Sequence, residues 1–120
     1  MKGGFCFELY ETDFTNCFIH NSRYSNGNLQ LSLFGVDPAI NETSHLTDIT
    51  LEQSKKILDD NKIVVDIKYK PELIPQLTKL GMLIEQVRIV VEKNIIYPIF
   101  TIDLSKIKQN NYAQLELIAA

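Results

Sequence analysis

The side chains that could do nucleophilic or metal chemistry are few: Cys6, Cys17, His20 and His45 are all the cysteines and histidines of this 120-residue chain. Only Cys17-Phe18-Ile19-His20 places two of them close together. On a strand, positions 17 and 20 differ in parity and project to opposite faces. A tetrahedral zinc site would consume all four residues, and their spacing matches no finger. Cys17 beside His20 or His45 is the arrangement that a small enzyme or ligand-binding protein would use, since a thiol needs an adjacent base to act as a nucleophile. No Gly-x-Ser-x-Gly elbow accompanies it. The sequence therefore predicts no catalytic residue, metal or cofactor, with Cys6 and Cys17 serving as small buried hydrophobes on neighbouring strands. Glu8, Glu11, Asp13, Asp59 and Asp60 fall at turns and strand ends, where solvation accounts for them.

Phosphate chemistry finds no support either. Neither a Gly-x-Gly-x-x-Gly nor a Walker-type loop is present, and Gly3-Gly4 precedes the first strand instead of linking a strand to a helix. Aromatic side chains on a sheet can stack bases, but affinity for nucleic acid comes mainly from Lys and Arg. Phe5, Phe7, Tyr10, Phe14, Phe18, Tyr24 and Phe34 sit in a stretch, 1–54, whose basic groups are Lys2 and Arg23 alone. Residues 1–60 hold 4 basic and 9 acidic side chains, and residues 61–120 hold 8 and 6. The later basic residues alternate with acids as on a solvent face. Nucleic-acid binding through them is the alternative reading.

The elements that must position these residues are mainly strands. Phe5, Phe7 and Leu9 alternate with polar neighbours at a period of two. A second strand over about 16–24 leads through Asn26-Gly27 into Leu29, Leu31 and Leu33, and that dipeptide predicts a type I′ hairpin. Gly35 to Asn41 reads as a loop, and a fourth strand follows over about 43–49. Thr50 with Gln53 resembles a capping box opening a short helix that ends near Asp59-Asp60-Asn61. Residues 62–69 form a strand with Ile63, Val65, Ile67 and Tyr69 on one side. Residues 71–81 form a second helix, with Pro75 in its first turn and Gly81 ending it in left-handed geometry. Residues 83–92 and 95–104 make a terminal hairpin, with Pro98 at an edge or bulge. Residues 105–120 hold a third helix from about Asn111, or a tail.

Hairpins at both ends and few helices predict one α+β domain over 1–120, a mostly antiparallel sheet of about six or seven strands with two or three short helices on one face. Hydrophobic content of 45% and charged content of 22% exclude disordered and coiled-coil classes. No apolar run is long enough to span a bilayer. An acid at Glu8 interrupts any signal-peptide core, and two cysteines are too few for a secreted framework. The expected location is the cytoplasm.

The segment Tyr24-Ser25-Asn26-Gly27-Asn28-Leu29-Gln30-Leu31, the later strand with Val64 and Val65, and Pro71–Gly81 before a closing hairpin together resemble a family of small uncharacterised proteins. These occur in Gram-positive and Bacteroides-type bacteria, their phages and conjugative elements. The resemblance covers about residues 22–104, with Leu80-Gly81 standing where that family commonly has Ala-Gly. It implies an accessory protein of a mobile element, of the kind that binds a host protein such as a defence nuclease, and it transfers no active site.

One further pattern agrees with that role. Phe34, Val64, Val90, Tyr97 and Phe100 occupy strand positions where alternation expects solvent, and contiguous exposed apolar surface marks association. These five are the expected protein-interaction residues. The expectation is a non-catalytic protein-binding module, an inhibitor or modulator of a host enzyme, whose partner is a host protein or a second copy.

Overall fold

The computed structural model describes residues 4–37, 39–40, 42–53 and 59–110. Strand β1 (Phe5–Leu9) turns tightly at Tyr10 and Glu11, both at positive φ, into β2 (Thr12–Arg23). Neither residue is the Gly or Asn that such a turn favours, so β2 begins well before the expected residue 16. The next loop also differs from the expected type I′ turn. Gly27 N–H donates to Tyr24 C=O at 2.9 Å, and Gly27 alone of the loop residues has positive φ. That is a three-residue connection closed by a left-handed glycine, from which β3 (Leu29–Asp37) departs. Its last residues, 35–37, lie in the region expected to be loop. Gly35 permits this because Leu46 of β4 (Glu42–Asp48) packs directly over it, within 3.4 Å of where a Cβ would sit.

β1 to β4 form one antiparallel sheet in sequence order. A second sheet has the order β5-β7-β6, built from β5 (Lys62–Val64), β6 (Leu83–Glu92) and β7 (Ile95–Ile102). Among the described residues the architecture is thus mostly antiparallel sheet with two helices, but the strands divide four and three instead of forming one sheet. Residues 49–51 join them. Ile49 N–H still donates to Leu31 C=O in the first sheet, while Leu51 N–H donates to Val64 C=O and Thr50 bridges Val65 in the second. Thr50 is therefore not a helix cap; its hydroxyl accepts the Leu31 N–H at 3.1 Å. The body of the helix expected after it lies outside the described residues.

β5 is shorter than the expected strand over 62–69, because the chain bends after Val65 and Tyr69 adopts positive φ. Helix α1 (Leu73–Lys79) follows the sequence closely, with Pro75 in its first turn and Gly81 at φ +78 ending it. Helix α2 (Leu104–Gln109) starts earlier than the expected third helix, because Asp103 caps it by accepting from the Ser105 and Lys106 N–H groups. The region beyond residue 110 is outside the described residues.

The helices sit at sheet margins and not as a layer on one face. The Gln76 side chain of α1 donates to Glu8 C=O and accepts from Glu8 N–H, both at 2.7 Å, completing the outer edge of β1 as a neighbouring strand would. Asn110 C=O, at the end of α2, accepts the Ile19 N–H of β2. Between sheets and helices lies the main core, which includes Phe7, Leu9, Cys17, Ile19, Leu31, Leu33, Ile63, Leu73, Leu77, Met82, Phe100 and Ile107. No described helix is long and apolar enough to cross a membrane.

Candidate interaction surface

β6 is the end strand of its sheet, ten residues long and paired, among the described elements, with β7 alone. Most native edge strands are short, charged or covered, because their free N–H and C=O groups invite another chain. Here Lys93 and Asn94, both at positive φ, close a two-residue turn that keeps β6 and β7 in register to their ends. Bulges at Ile84 and Val87 disturb the strand near its start, whereas 88–92 pair regularly with 99–95.

That regular register assigns each side chain and each backbone group. Pro98 turns its C=O to Val65 N–H, so the Ile89–Pro98 pair exchanges no hydrogen bond and the N–H and C=O of Ile89 point away from β7. Alternation sends those of Val91 the same way. It also explains how a proline fits in a central strand: its missing donor would face β5 where that strand ends. Ile89, Val91 and Ile96 share one face, on which they are 55%, 60% and 57% exposed. Ile84 and Val87, at the bulges, are exposed as well. This is the same face that carries Leu83, Phe100 and Ile102 into the core. The hairpin outruns the core, and its apolar side continues into solvent.

The opposite face carries Arg88, Val90 and Glu92 beside Ile99, Tyr97 and Ile95. There Val64, Tyr97 and Ile99 form a buried cluster, with Leu51, Ile67, Val90 and Ile95 packed against it. At the hairpin end this cluster opens into a cleft of about 320 Å³ lined by Glu52, Asp66, Lys68, Glu92, Lys93 and neighbouring apolar groups. Deeper, the Lys70 ammonium donates to Asp48 C=O at 2.8 Å and pairs with Asp66 at 3.2 Å.

The five expected interaction residues do not form one surface. Val64 and Tyr97 are buried, not solvent-facing, because Leu51 and Ile67, with Val90 and Ile95, pack over the second face of the three-stranded sheet. Phe100 is buried in the main core, and Val90 is half-buried at the rim of the Val64 cluster. Phe34 lies half-buried on the outer face of the other sheet, with His20 and His45 edge-on to its ring at 5.8 and 5.3 Å. Sequence reasoning missed Ile84, Val87, Ile89, Val91 and Ile96. Their signal was the length of β6, which exceeds anything the neighbouring elements could cover.

The chemistry-bearing residues are dispersed. Cys17 is fully buried, its thiol donates to Thr15 C=O at 3.9 Å, and burial pushes its pKa up to about 11. A thiol so placed is protonated at neutral pH and inert. Cys6, expected to be buried, is exposed at the bulge in β1. His45 Nε2 lies 2.9 Å from Asp48 Oδ1, and Ser32 Oγ donates to that same oxygen at 3.1 Å. The serine hydroxyl is thus committed to the carboxylate and not to the imidazole, the reverse of a nucleophile–base pair. Among the described residues no three His, Cys, Asp or Glu side chains are grouped to hold a metal ion. Compared with known proteins, the chain matches no family model, no curated protein and no solved structure.

Proposed function

We propose that this chain is a non-catalytic protein-binding module that takes up a polypeptide strand along the outer edge of β6. The observation that carries the reading is the combination, on one strand, of outward backbone groups at Ile89 and Val91 with exposed apolar side chains at Ile84, Val87, Ile89 and Val91. Strand addition draws affinity from main-chain hydrogen bonds and specificity from alternate side chains, and both are on offer here. In the mobile-element setting that the sequence resemblance implies, such a module modulates or inhibits a host protein by occupying it.

The test is affinity capture with the intact chain and with the double substitution Ile89→Lys, Val91→Lys, which charges the exposed face without entering the core. Recovery of a polypeptide by the parent chain and its loss with the variant supports the reading. Identical recovery by both, or none by either with self-association also absent, overturns it.

A further inference from the structure

We propose that the occupant of the β6 edge is a second copy of this chain, paired antiparallel about a two-fold axis through Val90. The proposal deepens the strand-addition reading and rests on it. An antiparallel pair of identical strands related by a two-fold axis keeps each face on its own side, so directly opposite residues must share a face. Centring the axis on Val90 satisfies this within the regular, unbulged stretch 88–92. Val90 then faces its own copy, Ile89 faces the second copy's Val91, and Arg88 faces the second copy's Glu92.

Each of those pairings is favourable. Ile89 and Val91 are the residues whose N–H and C=O point outward, so they exchange two hydrogen bonds on either side of the axis. On the face they share, Ile89, Val91 and Ile96 of both copies come into one apolar patch of two adjoining rows, in which β-branched cross-strand neighbours stabilise pairing. On the other face the axis brings two Arg88–Glu92 pairs directly opposite, with Cβ atoms about 4.5–5.5 Å apart. Among the described residues neither Arg88 nor Glu92 has an ion-pair partner within its own chain. The charge pattern of the strand is therefore complementary to itself in reverse. Moving the axis to Ile89 or Arg88 sets Arg88 opposite Val90 or opposite itself. The bulges at Ile84 and Val87 bend the rest of the edge away and confine pairing to the hairpin tip, which makes a closed dimer and not an open-ended stack.

A five-residue strand pair is small beside the ~800 Å² per partner of a stable dimer, so association is weak, with Kd on the order of tens to hundreds of micromolar. Sedimentation equilibrium from roughly 10 μM to about 1 mM, spanning that range, should show a reversible monomer–dimer equilibrium. Arg88→Glu and Glu92→Arg each set like charges opposite twice and should weaken dimerisation roughly tenfold. The double variant, Arg88→Glu with Glu92→Arg, restores both pairs and should recover the parent Kd to within about threefold. Both residues lie outside the core, and circular dichroism verifies that each variant is folded. A parent chain that stays monomeric throughout, single variants that dimerise as the parent does, or a double variant no better than the singles would each overturn the proposal. A strict monomer that still captures another polypeptide through Ile89 and Val91 overturns self-pairing alone and leaves the strand-addition reading standing.

Discussion

Removing one hydroxyl at Thr50 should separate the two sheets energetically. Leu31 N–H faces the place where β4 would continue, but the chain there has begun its crossing to β5, and Thr50 Oγ1 takes the role of the ladder carbonyl at 3.1 Å. The same hydroxyl lies 2.9 Å from the Tyr24 hydroxyl, and Thr50 is 3% exposed. Thr50→Val keeps shape and β-branching, yet leaves a buried amide with no acceptor. An orphaned buried donor costs about 1–3 kcal/mol, and Tyr24 loses one of its two contacts to Thr50 as well. The expected loss is about 2 kcal/mol, or a fall of roughly 6–10 °C in Tm for a domain of this size. Thr50→Ser keeps the hydroxyl and gives up one methyl, a loss of about 1 kcal/mol. Tyr24→Phe combined with Thr50→Val should cost less than the sum of the two, because the hydroxyls share a bond. Urea unfolding of the parent, the three single variants and the double variant gives the values. If Thr50→Val is within about 0.5 kcal/mol of the parent, or milder than Thr50→Ser, the hydroxyl is not the joint and the reasoning fails.

Three further outcomes follow from other parts of the structure. Replacing Tyr10-Glu11 by Asn-Gly relieves two side chains of positive φ and should stabilise the protein by about 1 kcal/mol, read as a higher urea midpoint with unchanged slope. Gln76→Leu removes both bonds that α1 makes to Glu8 and should cost about 1–2 kcal/mol, with faster amide exchange at Glu8. Burial raises the pKa of the Cys17 thiol to about 11 from 9.0, and that of the Tyr24 hydroxyl upward from 10.0. The unfolded chain therefore ionises first. The neutral forms support the fold fully below pH 9.0, and that support fades as pH rises through the folded values, so the urea midpoint should fall between about pH 9 and about pH 11. Cys17→Val should flatten part of that fall; a midpoint that is level across the range contradicts the burial argument.

Much of the fold was legible in local pattern. The alternation of Phe5, Phe7 and Leu9, the Gly27 loop, Pro75 and Gly81 around α1, and the terminal hairpin all stand where their residue types predict. The Tyr10-Glu11 turn was not, because its residues are held at positive φ by the pairing around them and not by preference. The division into two sheets turns on Thr50, whose side chain replaces a backbone acceptor; from sequence alone Thr50 with Gln53 reads equally well as a helix start. Asp103 before Leu104 and Ile107 is a readable cap for α2, although the apolar run through 95–104 predicts a longer strand. At the candidate surface, alternation does not reveal which stretch of each face is covered. Val64 and Tyr97 are hidden by Leu51 and Ile67, a tertiary event, whereas Ile89, Val91 and Ile96 are bare because β6 is ten residues long and β5 only three.

The most direct test of the open edge is residue-resolved amide exchange along β6. In dilute solution the outward N–H groups of Ile89 and Val91 should exchange freely, while those of Val90 and Glu92, directed at β7, are protected. When the edge is occupied, by a second copy at high concentration or by a captured polypeptide, Ile89 and Val91 should become protected and the other two should change little. Protection of Ile89 and Val91 already present in the dilute monomer, or no gain in the occupied form, would contradict the account.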